Sequence, residues 1–417
     1  MNARRDGGAR RQRRTLLGVA LIAAVWGALA FFLLRTEVPA LNLPQLDPAS
    51  YFSSAELARI HEFRTVTRWF WIASTLIELG VLALLAWRGR WLAFVVRRAL
   101  RLPPAAHVRC GMAVAACCSF AVWFATLPVG VVRHWWYRRY ALTEQGYGSW
   151  AGDRALALLV TTVAVVLAVA GAVYLAVRLG RHWWLAGSAA IAVVGVLVVL
   201  AQPLVIEPLF NRFTPIGDGN LAARIETFGN RLGVDVESVD VSDASRRTTT
   251  ANAGVTGIGP TRRVVLYDTL LDGRFTEGEI LWVSAHELAH VARGHVWKGV
   301  AWFALFAIPG LVAIAWFTER RGGVRDPAVV PLALLCAFVL SVLTLPAQNS
   351  ISRRYETEAD WIALRITDDP ASQISTQLRF ARTGLAEPDP PAWALMVLGS
   401  HPTTMQRIEM AKAAEGR

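Results

Sequence analysis

Charged residues are scarce in this chain. Only 18% of its 417 residues are Asp, Glu, Lys or Arg, whereas 54% are hydrophobic. Soluble domains carry about 25% charged residues, so this composition excludes an ordinary soluble globular protein. The deficit is concentrated in seven apolar runs, each long enough to cross a hydrocarbon layer about 30 Å thick. They cover residues 15–34, 69–87, 110–132, 155–177, 183–206, 299–318 and 328–347.

Lysine is nearly missing. Lys298 and Lys412 are the only lysines, so the net charge of +12 comes from arginine. The arginines flank the apolar runs, as in "RRQRRT" before the first run and "RGRWLAFVVRRALR" after the second. Basic residues at the ends of spans anchor membrane proteins, and this explains the charge better than nucleic-acid binding does. We therefore expect a lipid bilayer as partner and no nucleic acid.

Cysteine is also rare, and its placement is informative. The four cysteines all fall inside apolar runs, and none has the spacing of zinc ligands. This pattern argues against both a disulfide framework and a thiolate metal site. A metal site in this chain would have to use other residue types.

Residues 207–298 form the one long polar stretch between apolar runs, and the tail from residue 348 is polar again. Within the first of these, residues 219–233 and 276–295 have the pattern of helices, and Thr276 and Glu279 have capping-box spacing. Residues 236–242 and 262–268 read as strands, with a Gly- and Thr-rich loop and an edge strand between them. We predict four parts: a five-span region (1–206), a catalytic domain (207–298), a transmembrane hairpin (299–347) and a helical C-terminal segment (348–417).

The stretch "HELAH" lies just before the sixth apolar run. On a helix, His286 and His290 are one turn apart and share a face, so their imidazoles can bind one zinc ion. Glu287 lies beside them, where a carboxylate can act as general base toward a water molecule. This spacing predicts a zinc hydrolase with one zinc ion per chain.

Such a site needs a third protein ligand. His295 is nine residues past His286 and would point about 180° away on a continuous helix. Glu356 follows the last two apolar runs, and a hairpin of two spans returns the chain to the same membrane face. Glu358 and Asp360 are alternatives, and Asp360 would also suit a hydrogen bond from a ligand histidine that fixes its tautomer.

Five stretches occur in an order that is specific to one family. They are "EPLFNRFTPIGDG", "VDVSDASRRTTTANAGVTG" followed by "RRVVLYDTLL", "HELAHVARGH", "SRRYETEAD" and "GSHPTTMQR". With them, roughly residues 150 to 410 resemble the integral-membrane CAAX prenyl protease type 1 family of zinc metallopeptidases. The resemblance implies an α-helical multi-pass membrane protein of about seven transmembrane helices. It also implies a zincin-like α+β catalytic domain between the fifth and sixth spans, and a helix-walled chamber that the zinc faces.

The resemblance also implies roles for individual residues. The metal ligands would be His286, His290 and Glu356, with Glu287 as catalytic base. His401 and Arg407 would act at the scissile carbonyl and stabilise the developing oxyanion. Asn252, Ala253 and Gly254 would hold the substrate backbone as an added strand. The stretch "ANAGVTGIG" lacks the aromatic residues that usually follow the asparagine in this family.

The expected function is zinc-dependent hydrolysis of peptide bonds in membrane-associated, lipid-modified or apolar peptides. One alternative is a heat-shock-type membrane quality-control metalloprotease, which usually has fewer spans. Another is a transporter or scaffold with a vestigial metal site. The intact Glu287 disfavours the second alternative, because metal binding alone needs no base.

Two signals disagree on orientation in the cell membrane. The family resemblance implies a catalytic side that faces the cytoplasm. The N-terminal segment and the loops after the second, fourth and sixth runs, however, hold about twice as many arginines as the loops after the first and third. The positive-inside rule would therefore place the N-terminus inside and the zinc site outside. We expect the cytoplasmic orientation that the resemblance implies.

Overall fold

A computed structural model describes residues 23–217 and 219–415. In these residues, five helical stretches are long and apolar enough to span a membrane. A shorter apolar helix, α1 (Ala23–Leu33), is the described part of the first predicted span, whose residues 15–22 lie outside the described ranges. The five stretches are Ser54–Trp87, His107–Arg139, Tyr147–Phe210, His295–Glu319 and Pro327–Thr367.

The stretch Tyr147–Phe210 contains two helices that pack against each other. Helix α5 (Tyr147–Leu179) ends at Gly180, whose positive φ of 57° suits glycine, and a short 3₁₀ turn leads into α6 (Trp183–Ala201). The two helices hold the fourth and fifth predicted spans. The structure thus confirms a multi-pass helical protein, while the count of seven spans stays a prediction.

The remaining long helices before the sheet are α2 (Ser54–Trp87) and α4 (His107–Arg139), with the short α3 (Gly89–Ala99) between them. Small side chains let α4 and α5 approach each other closely. Cys110, Val114 and Ala115 of α4 are completely buried, and a Cβ on Gly111 would lie 3.1 Å from the side chain of Val173 on α5. Close packing of small residues is what holds helices together in lipid, where no hydrophobic force acts between them.

A four-stranded sheet follows the short helix α7 (Glu207–Phe210). Its strands are β1 (Phe213–Pro215), β2 (Ser238–Ser242), β3 (Ala253–Thr256) and β4 (Arg263–Tyr267). Their order in the sheet is β1-β2-β4-β3, with β2 and β4 parallel and the outer pairs antiparallel. Strands β2 and β4 confirm the two strands predicted from sequence, and β3 lies at an edge, whereas β1 was not predicted. Helix α8 (Asn220–Arg231) lies between β1 and β2 in the sequence.

Helix α9 (Glu277–Ala292) packs on the sheet through its buried apolar side chains. It begins with the predicted capping box, because the Thr276 hydroxyl accepts from the Glu279 amide and the Glu279 carboxylate accepts from the Thr276 amide. It ends earlier than predicted. Gly294 adopts φ +62°, which breaks the helix, and α10 (His295–Glu319) starts in a new direction.

Helix α11 (Val330–Thr367) is much longer than a membrane is thick. Its 38 residues extend about 57 Å at 1.5 Å per residue, against about 30 Å of hydrocarbon. It packs against α10 and then, with its C-terminal turns, against α9. Three further helices, α12 (Pro370–Thr383), α13 (Ala392–Leu398) and α14 (Thr404–Glu415), complete the C-terminal segment.

The capping box gives a test of how α9 is held. Thr276→Ala removes the side-chain acceptor at the N-terminus of the helix, and such changes cost about 1 kcal/mol. We expect a lower melting temperature in detergent for Thr276→Ala. Thr276→Ser keeps the hydroxyl, so it should melt close to the parent protein; equal melting of both variants with the parent would contradict the contribution of the cap.

Candidate metal centre

Two helices bring a set of metal ligands together. On α9, the Nε2 atoms of His286 and His290 lie 3.1 Å apart. Both face Glu356 on α11, whose oxygens lie 3.2 Å from His286 Nε2 and 3.5 Å from His290 Nε2. One ligand atom from each of the three residues lies within 4.8 Å of the others.

The chemistry of this cluster suits a divalent cation. Two imidazoles and one carboxylate are a ligand set of catalytic zinc sites, where the fourth position stays open. The Oε2 atom of Glu356 is buried, and it accepts no hydrogen bond from the described residues. A buried carboxylate oxygen without a donor is costly, so a cation between the three side chains would remove that cost. His286, His290 and Glu356 therefore fit a zinc ion.

Asp360 lies behind His286 and outside the cluster. It is completely buried, and its Oδ1 atom lies 2.9 Å from His286 Nδ1. Burial lowers the pKa of His286, but the facing carboxylates of Asp360 and Glu356 outweigh this effect and raise it to about 10. The surroundings of the ring therefore strongly favour positive charge at this place.

Arg407 on α14 is bonded to the far side of Asp360. Its Nε atom donates to Asp360 Oδ2 over 2.8 Å, and its guanidinium lies 5.5 Å from the ring centre of Trp282. Burial lowers the pKa of Arg407, but Asp360 outweighs it and raises the pKa above its usual value. The structure thus places Arg407 behind His286, and its contact with the reacting centre runs through Asp360.

Glu287 and His401 lie on the open side of the cluster. Glu287 follows His286 on α9 and lines the same cavity as the three ligand residues. Burial raises the pKa of Glu287, which makes its carboxylate a stronger base. His401 lies between α13 and α14, with Nε2 3.3 Å from Glu356 Oε2 and a side chain that is 57% exposed. Arg353 of α11 holds this loop by donating to Gly399 O over 2.6 Å.

The cluster opens into a cavity of about 1020 Å³. Apolar side chains of α10 and α11, among them Trp302, Phe303 and Phe306, form much of its wall. Asn252, Ala253 and Val255 also line it, so the edge strand β3 runs beside the cluster. The site is therefore an apolar chamber with the polar cluster at one end.

The register of β3 shows which of its amides are free to pair with another strand. Asn252 O accepts from Tyr267 N, and Gly254 is opposite Val265 two residues further on. In an antiparallel pair, residues that exchange hydrogen bonds alternate with residues that do not. The amides of Ala253 and Val255 therefore face the open edge, whereas that of Gly254 faces β4.

One expectation about the site is wrong. His295 was expected to point away from His286 on a continuous helix, but the break at Gly294 turns it back toward the cluster. Its Nδ1 atom lies 2.9 Å from Nδ1 of His290. On its other side, His295 Nε2 lies 3.0 Å from the Oε2 atom of Glu358. This contact between His295 and Glu358 was not predicted from the sequence. The glycine in "RGH" could have indicated this helix end, since glycine is the residue that most often ends a helix in the left-handed conformation.

Comparison with known proteins agrees with this geometry. Residues 215–415 match the model of peptidase family M48, and residues 47–212 match the model described as CAAX prenyl protease N-terminal, five membrane helices. An uncharacterized metalloprotease, YhfN, of Bacillus subtilis is 28% identical over 388 residues, 89% of each chain. CAAX prenyl protease 1 of Saccharomyces cerevisiae is 31% identical over 198 residues, 42% of this chain and 44% of the yeast protein. The crystal structure of S. mikatae Ste24p superposes with a TM-score of 0.74 at 21% identity, covering 94% of this chain and 97% of that one.

The two matches together account for residues 47–212 and 215–415, and they identify the chain as a CAAX prenyl protease 1-like metallopeptidase. It is a multi-pass membrane metalloprotease similar to CAAX prenyl protease 1, which confirms the resemblance found in the sequence. The fold agrees with that of Ste24p. The family implies a divalent metal, typically zinc, and peptide or protein substrates.

The ligand set can be tested by metal content. Glu356→Ala removes one of three ligands, so we expect the purified variant to lose most of its zinc in elemental analysis. Glu387→Ala is a suitable control, because Glu387 pairs with Arg68 and His61 away from the cluster. Full zinc content in Glu356→Ala, together with loss in Glu358→Ala, would move the third ligand to Glu358.

Proposed function

We propose that this chain is a zinc endopeptidase that hydrolyses peptide bonds of apolar or lipid-modified, membrane-associated peptides. One observation carries the proposal: the ligand cluster, Glu287 and an open strand edge share the wall of one apolar cavity. Each of these features serves peptide hydrolysis, whereas a metal-storage or scaffold role needs neither a base nor a strand edge. The curated relatives named CAAX prenyl protease 1 support the substrate class.

In this proposal β3 binds the substrate backbone. The outward amides of Ala253 and Val255 pair with an extended peptide, as in other cases of strand addition. Asn252, at the start of β3, contacts the same peptide. This pairing lays the peptide along the cavity wall toward His286 and His290, so that one peptide bond reaches the cluster. The binding energy comes from the backbone, and apolar side chains or a lipid chain enter the cavity.

The reacting groups then have distinct tasks. Zinc, held by His286, His290 and Glu356, supplies Lewis acidity toward the peptide carbonyl and toward water. Glu287 takes the proton from the attacking water and returns it to the leaving amine. His401, on the same open side of the cluster, donates to the oxygen of the carbonyl as charge develops there. Asp360, backed by Arg407, keeps the His286 ring in one orientation.

The site lies at the ends of two spans, which suits substrates that the bilayer concentrates. Helix α10 begins at His295, five residues after His290, and Glu356 lies in the last part of α11. We propose that this end of the hairpin faces the cytoplasm at the cell membrane, following the family resemblance and against the arginine distribution.

The base assignment is tested by Glu287→Gln. The amide keeps the shape of the side chain but accepts no proton, so cleavage of a prenylated or apolar peptide in detergent should fall by about 10²- to 10⁴-fold. Zinc content should equal that of the parent. Glu277→Gln changes an exposed glutamate at the start of the same helix and should cleave normally. Turnover of Glu287→Gln near the parental rate would contradict the role of Glu287 as general base. A chelator should abolish cleavage by the parent protein.

Strand addition is tested by Val255→Pro. Proline removes an amide that faces the open edge, so the sheet itself loses no hydrogen bond. We expect kcat/KM to fall about fivefold, because one backbone hydrogen bond contributes about 1 kcal/mol. Val255→Ala shortens the side chain and keeps the amide, and it separates the two effects. If Val255→Pro and Val255→Ala cleave peptide equally well, the substrate does not pair with this edge.

A further inference from the structure

The two histidines of the cluster are supported differently on their far sides. His286 Nδ1 faces the carboxylate of Asp360 directly, at 2.9 Å. His290 Nδ1 faces another imidazole, that of His295, at 2.9 Å. The carboxylate on this side contacts His295 and not His290 itself, since His295 Nε2 lies 3.0 Å from Glu358 Oε2.

Only one placement of protons suits these contacts when His290 is a metal ligand. A ligand histidine offers an unprotonated nitrogen to the metal, and His290 directs Nε2 toward Glu356 and His286. Its proton is then on Nδ1, and His295 Nδ1 must accept it. The proton of His295 is therefore on Nε2, where it points at Glu358. The chain of donors and acceptors is complete from the ligand to the carboxylate.

Glu358, the last residue of this chain of hydrogen bonds, is held rigidly. Glu358 is completely buried, and its Oε1 atom accepts from Arg293 Nε over 3.0 Å and from the backbone amide of Glu37 over 2.8 Å. The His295 ring also stacks on the Tyr355 ring, with 4.6 Å between their centres. A carboxylate with these fixed donors keeps one position, so it can orient the ring that donates to it.

The end of α1 and the residues after it, Leu33–Glu37, supply part of this support. Besides the Glu37 amide, Leu33 O accepts from the Tyr355 hydroxyl and Leu34 O accepts from Arg354 Nε, both over 2.6 Å. The Glu37 carboxylate also pairs with Arg293 at 2.9 Å. These residues precede both ranges that match family models, 47–212 and 215–415. They nevertheless lie against the two helices that carry the ligands.

We propose that His295 and Glu358 are positioning residues for the ligand His290, and that the segment Leu33–Glu37 anchors them. The pair fixes the His290 ring as Asp360 fixes His286. The inference rests on the proposed zinc site, and it concerns how tightly and in what geometry the metal is held.

The test compares two substitutions of His295. His295→Phe keeps the ring on Tyr355 but accepts no hydrogen bond from His290. His295→Gln offers an amide oxygen to His290 and an amide N–H to Glu358. In a competition with a chelator, we expect His295→Phe to bind zinc about 10- to 100-fold more weakly, with His295→Gln closer to the parent. The cobalt-substituted protein should show a changed visible absorption spectrum in His295→Phe, because the ligand geometry changes.

A matched pair of variants separates this effect from general destabilisation. Glu358→Gln and Glu387→Gln each convert a carboxylate bonded to one arginine and one histidine into an amide. Glu358→Gln should weaken zinc binding and change the cobalt spectrum, and still bind one zinc at saturation. Glu387→Gln should match the parent in zinc affinity and in cobalt spectrum. This difference should persist even if the two substitutions lower the melting temperature of the metal-free protein by the same amount.

Parental zinc affinity and a parental cobalt spectrum in both His295→Phe and Glu358→Gln would overturn the positioning role. The positioning role would also be overturned if zinc affinity fell across the variants only in proportion to the melting temperature of the metal-free protein. Failure of the zinc site itself gives a different result, namely full zinc content in Glu356→Ala. The two hypotheses can therefore fail separately.

Discussion

The structure depends on the contact between α9 and the C-terminal part of α11, where two histidines meet two buried carboxylates. The histidines are four residues apart on one helix, and Glu356 and Asp360 are four residues apart on the other. Buried carboxylates are costly unless they are paired, so these side chains can be buried only together. That requirement fixes the axial position of one helix against the other, with Glu356 facing both imidazoles and Asp360 behind His286.

This contact explains why α11 is so long. A helix only as long as the bilayer is thick could not also place carboxylates beside α9, which packs on the sheet and is not one of the stretches long and apolar enough to span a membrane. The same contact keeps the cluster close to the bilayer, because α10 starts only a few residues after His290. An apolar cavity next to the ligands follows directly, since its walls are the parts of α10 and α11 that adjoin the cluster.

Much of this arrangement could be predicted from the sequence. Long apolar runs define the membrane helices, and the His–Glu–x–x–His spacing defines a metal-binding face on a helix. Glu356 could be preferred because two spans return the chain to one membrane face. The partner of His290 could not be found in this way. It depends on a left-handed glycine at position 294, and helical periodicity assumes that no such break occurs.

The contribution of the N-terminal segment was hidden for another reason. Apart from the Glu37–Arg293 ion pair, its contacts run through backbone atoms, the Glu37 amide and the carbonyls of Leu33 and Leu34, and no motif records a backbone donor or acceptor. Sequence patterns report side-chain chemistry, whereas these bonds depend only on where the chain passes. The cluster is therefore supported from α14, through Arg407, and from a segment more than 300 residues earlier, through Glu37. Because the His286 ring depends on α14 and the His290 ring on the segment Leu33–Glu37, the geometry of the site is a property of the wider fold and not of the HELAH helix alone.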